Sequence, residues 1–173
     1  MLLPTAYLPP IDWCSACWNA EIVMIEAAEN YQKGSLRNRA HLAGPNGVQR
    51  ISIPLMKGKH QQTPIREVRI AYHENWQRQH WRSIRTAYGN APYFEHYADE
   101  LLYFYEQRYE FLFDYNLDLI RFILQKKMGW KGVISPSSNK NDFHQGAQNS
   151  LVSRMSPPSP AGEGTGVGSA FSP

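Results

Sequence analysis

Two cysteines three positions apart are the first residues whose types and spacing could do chemistry. Cys14 and Cys17 stand in the run Trp-Cys-Ser-Ala-Cys-Trp, residues 13–18. A Cys-x-x-Cys pair works as a thiol–disulfide site when it follows a strand and starts a helix, because the helix dipole lowers the pKa of the first thiol. Such folds also place a proline, here Pro54, against the disulfide, after an intervening helix. Residues 26–50 show no helical period, so we favour the alternative that both cysteines pack as small apolar side chains on a short helix.

The charge of the chain is unevenly distributed. Residues 1–32 contain four acids and no Lys or Arg, residues 33–90 contain eleven Lys or Arg against two acids, and residues 91–120 contain seven acids against one Arg. The basic middle third is a candidate surface for a phosphate, a nucleotide or a nucleic acid. The alternative is a solvated basic face.

Several classes of protein lack support in the sequence. No His or Cys spacing is typical of a metal site, and no Walker-type or Gly-x-Gly-x-x-Gly loop occurs, so the sequence predicts no metal and no cofactor. No run of about 18 apolar residues exists that could cross a membrane. The start, MLLPTAYLPP, has prolines and no basic residue where a signal peptide would have an apolar helix, which predicts a cytoplasmic protein.

The elements that must position any site begin with two apolar runs. LLPT and Ile22–Ile25 read as strands, separated by a proline-rich loop and a short helix over WCSACWN. This order predicts a compressed βαβ unit, followed by a basic loop over residues 30–40. Residues 41–55 then read as a hairpin with the turn Gly-Pro-Asn-Gly, and residues 65–72, IREVRIAY, alternate as a half-buried strand does.

From residue 74 the apolar period becomes helical. Trp76, His80, Ile84 and Tyr88 fall on one side of the first predicted helix, with arginines on another side. Two further helices follow, the second with Gly129 as its stop. The fold class is therefore α/β or α+β: an N-terminal Rossmann-like strand–loop–helix–strand unit with a β-hairpin, followed by a C-terminal three-helix segment.

The domain organisation follows from a change in composition near residue 131. Residues 1–130 contain all the predicted elements and form one globular domain. Residues 131–173 are rich in Ser, Pro and Gly and lack the apolar surface needed to offset ordering, so we predict a disordered tail.

Three fragments together resemble the WbqC-like family. They are PTAYLPPIDW, AEIVMIEAAENYQKGSLRNRAHLAGPNGVQRISIPL and NWQRQHWRSIRTAYGNAPYFEHYADEL, within about residues 2–130. The positions that match the family pattern are Tyr7, Leu8, Pro9, Lys33, Asn38, Arg39, Pro54, Trp76, His80, Tyr88, Pro92, Tyr93 and Phe94. The chain departs from the pattern before Pro4, where many relatives have His or Gln and this chain has Leu3. If that polar side chain is catalytic in relatives, this chain lacks the activity.

The resemblance implies a role in bacterial surface polysaccharide, lipopolysaccharide or O-antigen biosynthesis, because members are associated with such gene clusters. In an open α/β sheet a ligand sits outside the carboxyl ends of the strands, where the first loop and the basic loop would both lie. Candidate substrate-binding residues share cationic, amide or aromatic side chains: Tyr7, Lys33, Arg37, Asn38, Arg39, Trp76 and Tyr93. His80 is the candidate general acid or base, and its alternative is a hydrogen-bonded core histidine.

Three functions remain open at this point. The first is an enzyme, a group transferase acting on a phosphate-bearing sugar or nucleotide sugar, in which Lys33, Arg37 and Arg39 hold the anion. The second is a non-catalytic binding or assembly protein with the same pocket. The third, a nucleic-acid-binding module, is less favoured because no known binding motif occurs. A pocket with His80 favours the first function, a pocket without His80 favours the second, and an open arginine stripe favours the third.

Overall fold

The described part of the chain combines a small parallel sheet, a β-hairpin and a set of helices, which is the mixed α/β class predicted from the sequence. The computed structural model describes residues 1–44, 47–56 and 63–137. In chain order the elements are β1 (Leu2–Pro4), α1 (Ile11–Trp18), β2 (Ile22–Glu26), β3 (Arg39–Gly44), β4 (Gly47–Ser52), α2 (Trp76–Tyr88), α3 (Phe94–Glu106), α4 (Leu112–Arg121) and β5 (Val133–Pro136).

The parallel sheet is built on the predicted strand–helix–strand unit. β2 lies in the centre, with β1 on one side and β5 on the other, and both pairings are parallel. α1 connects β1 to β2 and buries Trp13, Cys14 and Cys17 in the core. The indole N–H of Trp13 donates to the carbonyl of Pro4 at 3.2 Å, which ties the helix to the end of β1.

Two loops leave the same edge of this sheet. The first loop, residues 5–10, follows β1. The basic loop, predicted over residues 30–40, spans residues 27–38 and follows β2. Because parallel strands place their carboxyl ends at one edge, we expect the two loops to be neighbours. The backbone N–H of Tyr7 donates to the carbonyl of Leu36 at 2.9 Å, so the two loops are in contact.

The predicted hairpin is formed by β3 and β4, which pair from Arg39↔Ser52 to Gly44↔Gly47. The two central residues of its predicted turn, at positions 45 and 46, lie outside the described residues. Hydrogen bonds hold the hairpin against α2: the Ala43 N–H donates to the Tyr88 hydroxyl at 3.1 Å, and a Gln49–Ser83 bond of 3.0 Å lies beside it.

The three C-terminal helices are where the helical period predicted them. α2 buries Trp76, His80 and Ile84, the face chosen from the sequence. α4 continues as a π-helical segment, Phe122–Lys127, whose wider turns end in a 2.9 Å bond from the Met128 N–H to the Ile123 carbonyl. Gly129 then adopts φ +72°, the left-handed conformation that ends helices and favours glycine.

The strand predicted over residues 65–72 is wrong. The segment begins with a 3₁₀ turn, Ile65–Glu67, and continues as extended chain with single bridges from Arg69 to Phe111 and from Ile70 to Leu55. Its apolar residues are buried, as the alternation suggested. They face loops and α4 rather than a neighbouring strand, so no ladder of hydrogen bonds forms.

The boundary predicted at residue 131 also needs correction. β5, Val133–Pro136, pairs with β2, and Ser137 is buried, with its side-chain oxygen accepting the N–H of Ala27 at 3.0 Å. The folded part therefore extends at least to residue 137. A strand of four residues at the border of a Ser- and Pro-rich segment gives little signal until its partner strand is known. The rest of the predicted tail, residues 138–173, lies outside the described residues.

We expect Ile134→Ala to lower the free energy of unfolding by about 2–4 kcal/mol, because it removes buried apolar volume from β5. Val133 is 58% exposed in the same strand, so Val133→Ala is the matched control and is expected to change stability by less than about 0.5 kcal/mol. Urea denaturation measures both. Equal effects of the two substitutions would show that β5 is not part of the core.

Candidate functional site

A cleft of about 370 Å³ lies where the first loop, the hairpin, α2 and α3 meet. Most of its lining is apolar or aromatic, with one imidazole and two tyrosines as polar groups. Concave, largely apolar surfaces with a few polar groups are typical of small-molecule sites. The lining residues are Leu8, Pro9, Pro10, Leu36, Ala40, His41, Leu42, Ile84, Tyr88, Phe94, Tyr97 and Leu101.

Two strained backbone positions lie at this cleft. Leu8 has φ +44° and Tyr93 has φ +65°, and they are the non-glycine residues with positive φ in the part of the chain that the structure describes. Leu8 lines the cleft, and Tyr93 directly precedes the lining residue Phe94. Such conformations cost about 1–3 kcal/mol each and persist where the surrounding structure holds them, often at ligand sites.

Directly behind the cleft lies a buried chain of hydrogen bonds. The Tyr7 hydroxyl is 3.0 Å from His80 Nδ1 and 2.9 Å from the Tyr105 hydroxyl, and all three side chains are buried. These two bonds join the first loop to α2 and α3, and the donor in each bond follows the tautomer of the imidazole.

The pKa values of these side chains show that the hydrogen-bonded cluster is uncharged at neutral pH. Desolvation by burial lowers the pKa of His80 to about 4, against an ordinary 6.5. Burial, together with neighbouring tyrosines, raises the pKa of Tyr7 well above its ordinary value of 10. The cluster therefore holds a neutral imidazole, which is the form a general base needs, but the ring does not line the cleft.

Trp76 lies in the same buried layer. Its indole contacts the rings of His80 and Tyr115, with centroids 5.1 and 5.9 Å away, and the side chain is almost fully buried. Trp76 thus supports His80 from the core side and does not reach the cleft.

Two predicted binding residues of the basic loop, Arg37 and Asn38, bond other groups of the protein instead. Arg37 is buried and forms a bidentate ion pair with Glu29, in which Nε donates to Oε1 at 2.7 Å. Asn38 is also buried: its Oδ1 accepts the Tyr31 hydroxyl at 2.8 Å, and its Nδ2 donates to the Ile53 carbonyl at 2.9 Å. These two side chains fix the loop rather than face a ligand.

The remaining predicted residues are accessible to different degrees. Lys33 is exposed on the basic loop. Arg39 is half-buried beside Gly34, and its Nε is buried with no hydrogen-bond partner among the described residues. Tyr93 is 72% exposed, with its ring against His96.

Three residues that sequence reasoning did not single out are placed at or near the site. His41 lines the cleft, Tyr105 completes the buried chain, and Glu29 neutralises Arg37. The helical period places Tyr105 on the same face of α3 as Phe94, which stands eleven residues before it. No periodic signal links Glu29 to Arg37, because both lie in irregular chain.

The cysteine pair has a structural role. Cys14 and Cys17 are free thiols, and both are buried. Desolvation raises the pKa of both, that of Cys17 to about 11, so neither is a reactive thiolate at neutral pH. The prediction that they pack on a short helix is confirmed.

Within the described ranges, no group of three or more His, Cys, Asp or Glu side chains is placed to hold a metal ion. The helices described there are also too short or too polar to cross a membrane.

Fold and site together define a mixed α/β protein with an aromatic cleft at the edge where two sheet loops meet a helical layer. A model of the WbqC-like protein family matches residues 5–155, and the chain therefore belongs to that family. No curated protein and no solved structure matches the chain.

We expect stability to fall between pH 6.5 and 4 through His80. In the unfolded chain the ring takes up a proton near pH 6.5, whereas the folded ring stays neutral down to about pH 4. The unfolded state therefore binds more protons in this window, so the free energy of unfolding falls as the pH falls. The loss caused by His80 reaches about 3 kcal/mol at the acid end. The measurement is the free energy of unfolding at pH 7 and pH 4.5.

The control for this prediction is His73→Gln, at an exposed histidine. This variant should lose as much stability on acidification as wild type does. His80→Gln should lose less stability on acidification than wild type. Because that variant is itself destabilised, an NMR titration of the wild-type ring provides a second readout. A ring that titrates near pH 6.5 in the folded protein contradicts the prediction.

Arg37→Ala should lower the free energy of unfolding by about 3–5 kcal/mol, because it leaves the buried Glu29 carboxylate without its partner. Lys33→Ala removes an exposed cation from the same loop and should change stability by less than about 0.5 kcal/mol. Thermal and urea unfolding distinguish the two. A stable Arg37→Ala protein would mean that Arg37 is not a structural residue.

Proposed function

We propose that the cleft binds a phosphate-bearing sugar or nucleotide sugar in bacterial surface polysaccharide biosynthesis. The observation that carries this proposal is that motif positions far apart in sequence meet at one cleft. Leu8, Pro9, Tyr88 and Phe94 line it, and each belongs to the pattern shared with the WbqC-like family. Their meeting at one concave, largely apolar surface is what a small-molecule site requires.

The cleft suits a sugar ring with an attached apolar or aromatic group. Tyr88, Phe94 and Tyr97 present aromatic surface from α2 and α3, and such surfaces stack on the flat faces of sugars and bases. The volume of about 370 Å³ is at the lower end of small-molecule sites, which fits a monosaccharide with part of its leaving group.

The anionic part of the ligand is assigned to the exposed face of the hairpin. His41 lies directly across from Arg50, and Arg39 is two residues before His41, so all three side chains are on one face of the two strands. None of them has an ion-pair partner in the described ranges. Because His41 also lines the cleft, a phosphate at the mouth of the cleft would be within reach of the guanidinium groups of Arg39 and Arg50.

Binding without chemistry is the reading that this geometry favours, since His80 lies behind the cleft wall and not in it. A group-transfer reaction is the second candidate. It is favoured by the neutral His80 and its bond to Tyr7, the residue that precedes the strained lining residue Leu8. Catalysis would require the first loop to move and bring the Tyr7–His80 pair to the ligand. In either case we place the function in the cytoplasm.

Isothermal titration calorimetry against nucleotide sugars, plain nucleotides and sugar 1-phosphates tests the proposal. We expect Tyr97→Ala, which removes part of the cleft lining, to weaken binding about tenfold. Tyr103→Ala is the matched control, because Tyr103 is an exposed tyrosine on the same helix outside the cleft.

Arg50→Ala should weaken the binding of phosphate-bearing ligands roughly tenfold or more, since a hydrogen bond to a charged group contributes about 1.5–3 kcal/mol. Lys131→Ala, at an exposed cation elsewhere, should leave affinity unchanged. The proposal fails if wild type binds none of these ligands, or if the control substitutions weaken binding as much as the cleft substitutions do.

A further inference from the structure

The outward face of α2 carries three exposed arginines. Arg78, Arg82 and Arg85 are spaced four and seven residues apart, so they lie within about 60° of one another around the helix. All three are exposed, and none forms an ion pair with another described residue. We call this set the arginine stripe. It is separate from the cleft, whose α2 residues are Ile84 and Tyr88.

The neighbouring helix carries a stripe of the opposite sign. Glu95, Asp99 and Glu106 of α3 lie within about 40° around the helix axis, and all are exposed. They too have no ion pair in the described part of the chain, whereas Glu100 on another side of α3 is bound by Lys126 and Lys127. We call this set the acidic stripe.

α2 and α3 are antiparallel neighbours, which sets the relative height of the two stripes. The Trp81 ring lies between Phe94 and Tyr105, with centroids 6.2 and 5.9 Å away, and the Gln77 side chain donates to the carbonyl of Gln107 at 2.6 Å. Arg78 is therefore level with Glu106 at one end of the pair. At the other end, Arg85 is level with the first turn or two of α3. The two stripes thus run side by side over similar lengths with opposite charge.

We propose that two copies of this chain pair through α2 and α3 about a twofold axis parallel to the helices. This operation places each α2 antiparallel to the α3 of the other copy and keeps residues at the same height. The arginine stripe of one copy then faces the acidic stripe of the other, and the symmetry makes this contact twice.

A second copy fits both stripes, whereas a polyanion fits only one. A nucleic acid on the arginine stripe would lie beside the three carboxylates of the acidic stripe, and like charges at an interface disfavour a partner. Exposed aromatic surface beside the stripes adds apolar contact: Trp81 is partly exposed on α2, and Tyr103 is 54% exposed one turn beyond Asp99. Trp, Tyr and Arg are the residues enriched in protein interfaces.

The dimer is expected to be weak and sensitive to salt. Each helix has 13 residues and is about 20 Å long. A face of two such helices is at or below the roughly 800 Å² per partner of standard interfaces. Exposed charges are screened beyond about 10 Å at 0.1 M salt and beyond about 3 Å at 1 M.

Sedimentation velocity over a range of micromolar concentrations tests the proposal on the full chain. We expect wild type to dimerise at low salt and to dissociate at high salt. R82E and D99R should each raise the dimer dissociation constant at least tenfold, because each puts like charges opposite one another. The double variant R82E/D99R should restore dimerisation, because the pair is reversed and complementary again.

K131E reverses an exposed cation outside the stripes and should dimerise as wild type does. Circular dichroism of every variant shows whether the helices are intact. The proposal is overturned if wild type is monomeric at all concentrations at low salt, or if R82E dimerises as well as wild type. Salt-dependent binding of a short oligonucleotide by a monomer, abolished in R82E, would assign the arginine stripe to nucleic acid instead.

Discussion

The structure depends on the buried hydroxyl of Tyr7. That one group meets His80 of α2 and Tyr105 of α3, while the backbone N–H of the same residue holds the basic loop through Leu36. The parallel sheet, the basic loop and the helices are therefore joined at a residue in the loop after β1. A buried polar group is costly unless its hydrogen bonds are made, so the position of this loop is closely specified. The strained Leu8 follows directly, and it forms part of the cleft wall.

The same constraint explains why so many polar residues near the site have structural roles. The basic loop has no regular secondary structure, so its backbone and side chains need partners of other kinds. Glu29 and Arg37 form a buried ion pair. Asn38 bonds both the Tyr31 side chain and the backbone carbonyl of Ile53, the residue after β4. The amide of Asn116 in α4 adds a 2.7 Å bond to the Arg37 carbonyl. A loop fixed this well can present a cleft of constant shape.

The residues named by the resemblance divide into two groups. Tyr7, Asn38, Trp76 and His80 form or brace the buried scaffold, whereas Leu8, Pro9, Tyr88 and Phe94 line the cleft. Tyr7 and Leu8 are consecutive in the first loop, and Tyr88 lies two turns beyond His80 on the same side of α2, so neighbouring positions of the pattern end in different surroundings. The residue types of such a pattern do not show which side chains are buried in the scaffold and which line the cleft.

The sequence by itself determined the elements with a strong period or clear stop signals. The apolar run Ile22–Ile25, the stripe from Trp76 to Tyr88 and Gly129 were sufficient for β2, α2 and the helix end, because local burial and backbone preference dictate them. Only the tertiary structure decided which polar groups are paired, because the partners of Arg37, His80 and Asn38 are 8, 73 and 15 residues away. The same holds for β5, whose partner β2 precedes it by more than a hundred residues. Burial and pairing over such separations are properties of the packed chain, and they decide whether a charged or polar side chain binds a ligand or holds the fold.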